Sequence, residues 1–238
     1  MSNELAPVPN NYATVLTDYH RLAYSVVAEA RRRATTRFGL RSTSGGFGTP
    51  PWGDDVRVRI EGDQIIMEEG GDNRSTKITT LREAAAFVGV EPGTEPAEHD
   101  SPELGDIDAP LAVGASETAF LGAWFALATK LLEELRGLDG AIDPDEVQLW
   151  PGHFDPATAI GDVEAGTRAT YGFSPGDGGH PEPYIYVGAW GEIDRSNPYW
   201  NEEHFNGASL GYSELLASDD PEATARAFLR TGYDLLNG

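Results

Sequence analysis

The segment from Ser116 to Arg136 constrains the fold most, because it is apolar on most of its helical surface. Its large side chains at three- and four-residue spacing are Phe120, Trp124, Leu127, Leu131 and Leu135. Further apolar residues widen this stripe onto the neighbouring faces: Leu121, Phe125, Ala128 and Leu132. A helix of this kind belongs in the interior of a fold, where other elements cover it. We therefore predict a central helix in which Trp124 and Leu131 are almost fully buried.

Three further helices are predicted from local signals. Apolar residues at helical spacing predict a first helix over about residues 12–33. Thr80 and Glu83 have the spacing of a capping box and predict the start of a short helix. Asp220, followed by Pro221, predicts the start of a last helix that runs to about residue 236.

Strand patterns occupy much of the remaining chain. Arginines alternate with Val56, Val58 and Ile60, and this period of two is typical of a half-buried strand. Segments near 65–67 and 76–78 would complete a meander, whereas the Gly- and Pro-rich run RSTSGGFGTPPWGDD (41–55) predicts no regular structure. Short candidate strands follow at 146–150, 158–163, 167–173 and 184–190. These runs predict an α+β fold: antiparallel sheets, the long buried central helix, and N- and C-terminal helices packed against the sheets.

Charge divides the chain into two parts. Residues 1–89 carry 11 basic and 11 acidic side chains, so the whole net charge of −22 falls on residues 90–238. Residues 90–110 contain seven acids, four prolines and no lysine or arginine. We predict a helix–meander–helix unit over 1–89, an acidic linker or surface loop over 90–112, and an α+β unit over 113–238. The two units are also compatible with packing as one domain.

Composition excludes several classes of protein. The chain has no cysteine, so disulfides, thiolate nucleophiles and thiolate-bound metal clusters are excluded. The start of the chain lacks the basic and apolar segments of a signal peptide, and the longest apolar stretch is half of what a membrane span needs. The acidic field repels phosphate backbones. We expect a cytoplasmic protein with no membrane or nucleic-acid partner.

The stretch QLWPGHFD contains the first candidate site. If residues 150–155 are extended, His153 and Asp155 share one face, where they could act as an acid–base pair. Glu182 offers a further carboxylate in the turn-rich segment that precedes a strand. We predict His153, Asp155 and Glu182 as the catalytic or polar groups of a pocket. The competing interpretation is a packed corner, in which His153 lies against Trp150 and Phe154.

Aromatic residues concentrate around the strand PEPYIYVGAW. The candidate walls of a small-molecule pocket are Trp150, Tyr184, Tyr186, Trp190 and Trp200. An aromatic sheet face with polar tips can bind a flat or sugar-like ligand. A helix that covers this face would instead make it part of the core, and two apolar helices are present to do so.

The leading hypothesis for function is therefore a small-molecule-binding pocket in the C-terminal part, and no cofactor follows from the sequence. An alternative is a metal-dependent hydrolase with a ligand set of imidazoles and one carboxylate: His153, Asp155, His180 and His204. A third possibility is a non-catalytic module whose acidic surface meets a basic partner.

The glycine-rich run SGGFGTPPWG follows a cluster of arginines between Arg31 and Arg41. Such a backbone beside arginines could hold a phosphate or carboxylate group. However, it lacks the Lys-Ser/Thr ending of a P-loop and follows a helix rather than a strand. We favour a solvated loop whose arginines pair with the acidic C-terminal half.

Three motifs in order resemble the signature of a bacterial, actinobacterial-type family of unknown function. They are WPGHFD (150–155), YGFSPGD (171–177) and PEPYIYV (181–187), against W-P-x-H-F-D, F-G-F-S-P-G-D and P-E-P-Y-x-Y-V in the family. The resemblance covers about residues 146–236. It adds weight to these residues but implies no substrate. Gly152 stands where a second histidine or a larger polar residue is expected, which weakens any proposal that two adjacent histidines bind metal.

Overall fold

The computed structural model describes residues 5–93 and 101–238, and it has an α+β fold with two five-stranded antiparallel sheets. This confirms the predicted fold class. The chain forms two compact units. The described residues of the N-terminal unit lie within Val8–Ala126 and Leu149–Asp155, and those of the C-terminal unit lie within Met1–Pro7, Leu127–Gln148 and Pro156–Gly238. The described residues of the predicted linker, 90–93 and 101–112, belong to the N-terminal unit; residues 94–100 of that linker lie outside the described residues.

The predicted first helix is present but interrupted. It consists of α1 (Tyr12–Leu22), a π-helical segment (Ala23–Ala28) and α2 (Glu29–Thr35). The predicted short helix is α3 (Leu81–Val88), and Oγ1 of Thr80 accepts a hydrogen bond from the Glu83 amide at 3.1 Å, as its spacing predicts.

The N-terminal sheet has the strand order β1-β2-β3-β4-β5. Its strands are β1 (Arg41–Thr43), β2 (Gly46–Gly48), β3 (Arg57–Glu61), β4 (Gln64–Glu69) and β5 (Asp72–Lys77). The predicted meander is confirmed in β3–β5. The prediction that residues 41–55 lack regular structure is wrong, because β1 and β2 form a hairpin there, with Ser42 paired to Phe47. Glycine weakens a strand on average, but here it lets the backbone lie against a neighbouring helix.

That helix is α4 (Ala115–Arg136), the predicted central helix. Trp124 is 1% exposed and Leu131 is 2% exposed, so the predicted burial of both is confirmed. Within the N-terminal unit, α4 approaches β2 at Gly122. A Cβ atom at Gly122 would lie 2.5 Å from the Gly46 nitrogen and 2.8 Å from the Gly45 carbonyl carbon. Two glycines therefore set this helix–strand distance.

The second sheet has the order β10-β9-β8-β7-β6. Its strands are β6 (Gln148–Trp150), β7 (Asp155–Ile160), β8 (Ala169–Ser174), β9 (Tyr184–Ala189) and β10 (Gly207–Gly211). The four predicted strands are present with boundaries moved by up to three residues. Strand β10 and the short helix α5 (Tyr212–Leu216) were not predicted. The predicted last helix is α6 (Pro221–Asn237), and Asp220 caps it by accepting a hydrogen bond from the Ala223 amide at 3.0 Å.

The two faces of the β8–β9 pair differ in whether a helix packs against them. Tyr171 pairs with Val187 and Phe173 pairs with Ile185, and all four are fully buried. Helix α6 packs against β9, and a Cβ atom at its Gly232 would lie 3.0 Å from Val187 Cγ2. Helix α6 therefore covers the face that carries Ile185 and Val187. Tyr184 and Tyr186 lie on the other face of β9, because alternate residues of a strand point to opposite sides.

The outer edge of β10 is occupied by groups of the same unit. The side-chain amide of Asn201 donates to the Ser209 carbonyl at 3.0 Å and accepts from the Ser209 amide at 2.9 Å. The Glu202 amide donates to the Gly207 carbonyl, and the Gly211 amide donates to Oε2 of Glu214. These contacts replace the strand that would otherwise pair with β10.

Candidate functional site

The segment WPGHFD does not form the extended strand on which the His153–Asp155 pair depends. Residues 151–154 form a turn, the Phe154 amide donates to the Trp150 carbonyl at 2.7 Å, and Phe154 has a φ of 56°. His153 is exposed and Asp155 is buried. Alternation along a strand therefore does not place these two side chains on one face.

The buried member of this turn is Phe154, which packs against other rings of the N-terminal unit. Its ring centroid lies 5.0 Å from that of Phe47, 5.2 Å from that of Phe125 and 5.7 Å from that of His20. His20 also binds the turn, because its Nε2–H donates to the Pro151 carbonyl at 2.8 Å. His20 lies in no recognisable motif. Only its position on the first helix could have indicated that it contacts another part of the fold.

His20 gives this turn a dependence on pH. Burial lowers the pKa of His20, the neighbouring His153 lowers it further, and hydrogen bonds to the backbone at Pro151 and Gly152 oppose the shift. The unfolded state therefore binds more protons than the folded state between the folded pKa and about 6.5, so acidification through that window favours unfolding.

We expect the free energy of unfolding to fall as the pH is lowered from 7.5 to 5.5, and part of that slope to be lost in His20→Gln. Glutamine retains an N–H donor for the Pro151 carbonyl but does not titrate. Urea unfolding at several pH values measures the slope, and His204→Gln, an exposed histidine, is the control. Equal slopes in wild type and His20→Gln would contradict the assignment.

A different group of side chains forms a connected polar site in the C-terminal unit. We call it the His180 cluster, and its members are Asp177, His180, Tyr184, Glu202, His204 and Ser209. Its scaffold is the loop between β8 and β9, where Oδ1 of Asp177 accepts from the amides of Gly179 (2.7 Å) and His180 (2.9 Å). Oδ2 of Asp177 accepts from the Tyr184 hydroxyl at 2.7 Å. Asp177 thus holds both the loop backbone and the Tyr184 side chain in place.

The centre of the cluster is a hydrogen bond between an imidazole and a buried carboxylate. His180 Nε2 lies 2.9 Å from Oε1 of Glu202, which accepts another hydrogen bond from the Ser209 hydroxyl. Glu202 is 6% exposed, whereas the His180 side chain is 25% exposed. Burial raises the pKa of Glu202, but the hydrogen bonds from Ser209 and His180 outweigh burial and leave the pKa below its ordinary value. Glu202 is therefore a buried anion behind a partly exposed imidazole.

Aromatic rings extend the cluster along the face of β9 that carries Tyr184 and Tyr186. The ring centroid of His180 lies 4.3 Å from that of Tyr184, which lies 6.0 Å from Tyr186. Tyr186 continues the row to Phe205 at 6.2 Å. The Tyr186 ring crosses Gly172 on β8, where a Cβ atom would collide with it. This row has the polar tips and ring faces that flat ligands use.

The other predicted wall residues lie elsewhere. Trp190 is 57% exposed beyond the far end of β9 and covers the guanidinium of Arg168, 5.1 Å from the ring centroid. Trp200 is buried and packs edge-on against Tyr199. Trp150 belongs to the N-terminal unit, where its side chain is exposed. Tyr184 and Tyr186 are thus the predicted wall residues that the His180 cluster and its aromatic row contain.

Glu182 has a local partner. Its carboxylate accepts hydrogen bonds from the hydroxyl of Ser213 and, at 3.3 Å, from the Ser213 amide. Ser213 lies in the first turn of α5, where an anion is favourable. These contacts indicate that Glu182 stabilises the start of α5.

The predicted metal ligands do not form a metal centre within either unit. His180 and His204 are neighbours, with ring centroids 5.9 Å apart and the rings perpendicular. His153 and Asp155 belong to the N-terminal unit. In residues 5–93 and 101–238, no group of three or more His, Asp or Glu side chains is arranged to hold a metal ion.

Three of the arginines before the glycine-rich run contact residues close to them in sequence. Arg32 and Arg33 both form ion pairs with Glu29, which is buried, and Arg31 is buried with its guanidinium donating to the Gly39 carbonyl. The expectation that these arginines pair with the acidic C-terminal half is wrong for Arg33, because its ion-pair partner is Glu29, one turn away on the same helix.

Comparisons of the chain with protein-family models, curated proteins and solved structures find no match. The resemblance carried by WPGHFD, YGFSPGD and PEPYIYV stays a prediction. None of the helices in the described part of the chain has the length and apolar character needed to cross a membrane.

Proposed function

We propose that this protein binds a small polar molecule at the His180 cluster and that His180 exchanges a proton with it. The observation that carries the proposal is the contact of a partly exposed imidazole with a buried carboxylate, His180 Nε2 to Glu202 Oε1 at 2.9 Å. A group that orients an imidazole in this way fixes its tautomer, and acid–base sites use the same arrangement.

The contacts of the two ring nitrogens of His180 determine which nitrogen can accept a proton from the ligand. A carboxylate accepts hydrogen bonds, so the proton on neutral His180 lies on Nε2. Nδ1 then has a lone pair and acts as a base. The carboxylate oxygen Oδ1 of Asp177 lies 3.7 Å from Nδ1, beyond a hydrogen bond, so Nδ1 of the neutral ring keeps its lone pair for a proton from the ligand.

The aromatic row supports a flat ligand with an acidic hydroxyl or ring N–H. Such a ligand would lie against Tyr186, which is partly exposed, and direct its proton to Nδ1 of His180. The open part of Tyr186 and the partly exposed Phe205 offer ring faces for stacking, which contributes about 0.5–1.5 kcal/mol per pair beyond the area buried.

A screen of three probe classes tests this proposal: substituted phenols, nucleosides and monosaccharides. We expect members of one class to shift the imidazole ¹H–¹³C signals of His180 in a saturable manner. Glu202→Gln and Tyr186→Ala should each weaken that binding about tenfold, equivalent to roughly 1.4 kcal/mol.

Glu203→Gln is the matched control, because it removes the same charge one residue further along at an exposed position. Its affinity should equal that of wild type. Urea unfolding of each variant separates a loss of binding from a loss of fold. Unchanged His180 signals with all three classes, or equal affinity in Glu202→Gln and wild type, would refute the proposal.

A further inference from the structure

The C-terminal unit contains a concave surface at the opposite end of the sheet from Tyr184. This cavity of about 400 Å³ lies between the 139–142 loop, the loop that joins β7 to β8, and the last turns of α6. We call it the acidic groove. The residues central to it are Asp139, Ile142, Asp162, Arg230, Tyr233 and Asp234.

The groove has an excess of negative charge. Arg230 is neutralised within it, since its Nε lies 2.8 and 2.9 Å from the two carboxylate oxygens of Asp234. Within residues 5–93 and 101–238, Asp139 and Asp162 have no ion-pair partner. Oδ1 of Asp162 accepts the amides of Glu164 at 2.7 Å and Ala165 at 3.1 Å, which holds that carboxylate in place. Two carboxylates without an ion-pair partner among the described residues therefore line one cavity.

Apolar surface lies beside these carboxylates. Ile142 is 48% exposed, and its carbonyl is fixed by a hydrogen bond from the Gly161 amide at 2.8 Å. Tyr233 contributes a ring to the wall, and the Arg230 guanidinium lies 5.8 Å from its centroid. A ligand that fits this groove needs an apolar stem and a cationic end.

We infer that the acidic groove docks a basic segment of a partner protein, with a lysine or arginine side chain inserted between Ile142 and the carboxylates of Asp139 and Asp162. Lysine and arginine bury an aliphatic stem along apolar surface while the charged end meets an anion. The net charge of −22, all of it on residues 90–238, steers a basic partner to this half of the chain. The inference concerns a surface separate from the His180 cluster and does not depend on the proposed function.

Fluorescence anisotropy with a short labelled peptide of repeated Gly-Lys-Leu units tests the inference on the full chain. We expect saturable binding that weakens with salt, and no binding of the matching Gly-Gln-Leu peptide. The double variant Asp139→Asn with Asp162→Asn should lose about tenfold in affinity, because asparagine keeps the oxygen that caps the loop but removes the charge. Ile142→Ser should weaken binding without altering its salt dependence.

The matched control is Asp219→Asn with Glu203→Gln, two exposed acids outside the groove lining. It changes the net charge equally and should stay within about twofold of wild type. An equal loss in the control would show binding to the general acidic field and would overturn the inference. So would the absence of peptide binding. N-acetyl-lysine amide or agmatine binding as tightly as the peptide would identify a small-molecule site and overturn the assignment to a protein partner.

Discussion

Trp124→Ala is expected to lower the free energy of unfolding by about 3–5 kcal/mol. Among the described residues Trp124 is the largest fully buried side chain, and it lies on α4. Alanine would remove the indole but leave the surrounding side chains in place, so the cost includes lost burial and a residual cavity. Urea denaturation followed by circular dichroism measures the change.

Trp150→Ala is the matched control, since Trp150 is 45% exposed and the hydrogen bond at its carbonyl comes from backbone that the variant retains. We expect its free energy of unfolding to change by less than about 1 kcal/mol. A Trp124→Ala protein as stable as Trp150→Ala would be incompatible with α4 as the centre of the fold.

The second large effect is expected for Gly122→Ala, which should lower the free energy of unfolding by about 1–3 kcal/mol. In the interior of an exposed helix the same change stabilises by about 1 kcal/mol, so the sign of the effect is diagnostic. The added methyl group would lie 2.5 Å from the Gly46 nitrogen and 2.8 Å from the Gly45 carbonyl carbon. These are backbone atoms of the β1–β2 hairpin, and they can give way only if the strand moves.

Gly178→Ala provides the control for glycine replacement, because a Cβ atom at Gly178 meets no atom within 4 Å. Its free energy of unfolding should stay within about 0.5 kcal/mol of wild type. If Gly122→Ala instead raised the free energy of unfolding, the close approach of α4 to β2 would be wrong.

The elements that sequence patterns predicted well are those whose signal is local. The apolar stripe of α4 runs from Phe120 to Leu135, about four turns of the helix, and the caps at Thr80 and Asp220 depend on residues three positions apart. The elements that were missed depend on distant partners. Gly46 lies in a strand because it pairs with Glu61 of β3, which is distant in sequence, and β10, with the sequence GASLG, has none of the β-branched and aromatic residues that indicate a strand.

The sequence predicted only the part of the candidate site that depends on local signals. Tyr184 and Tyr186 lie on one strand face, which alternation predicts. The partner of His180 is Glu202, 22 residues away, and no spacing rule connects them. His153 was singled out on the assumption of an extended chain, whereas the positive φ of Phe154 turns the chain there. A buried phenylalanine in that conformation has no signature in sequence.

The edge of β10 has a consequence for how copies of this protein behave when they are concentrated. An uncovered outer strand offers its free amide and carbonyl groups to any other extended chain, and such pairing is the first step of aggregation. Here the Asn201 side chain forms hydrogen bonds with both the amide and the carbonyl of Ser209. The Glu202 amide binds the Gly207 carbonyl, and the Glu214 carboxylate binds the Gly211 amide. A second polypeptide would have to displace these groups before it could add a strand. The loop that positions the carboxylate of Glu202 therefore also keeps this side of the sheet closed to self-association.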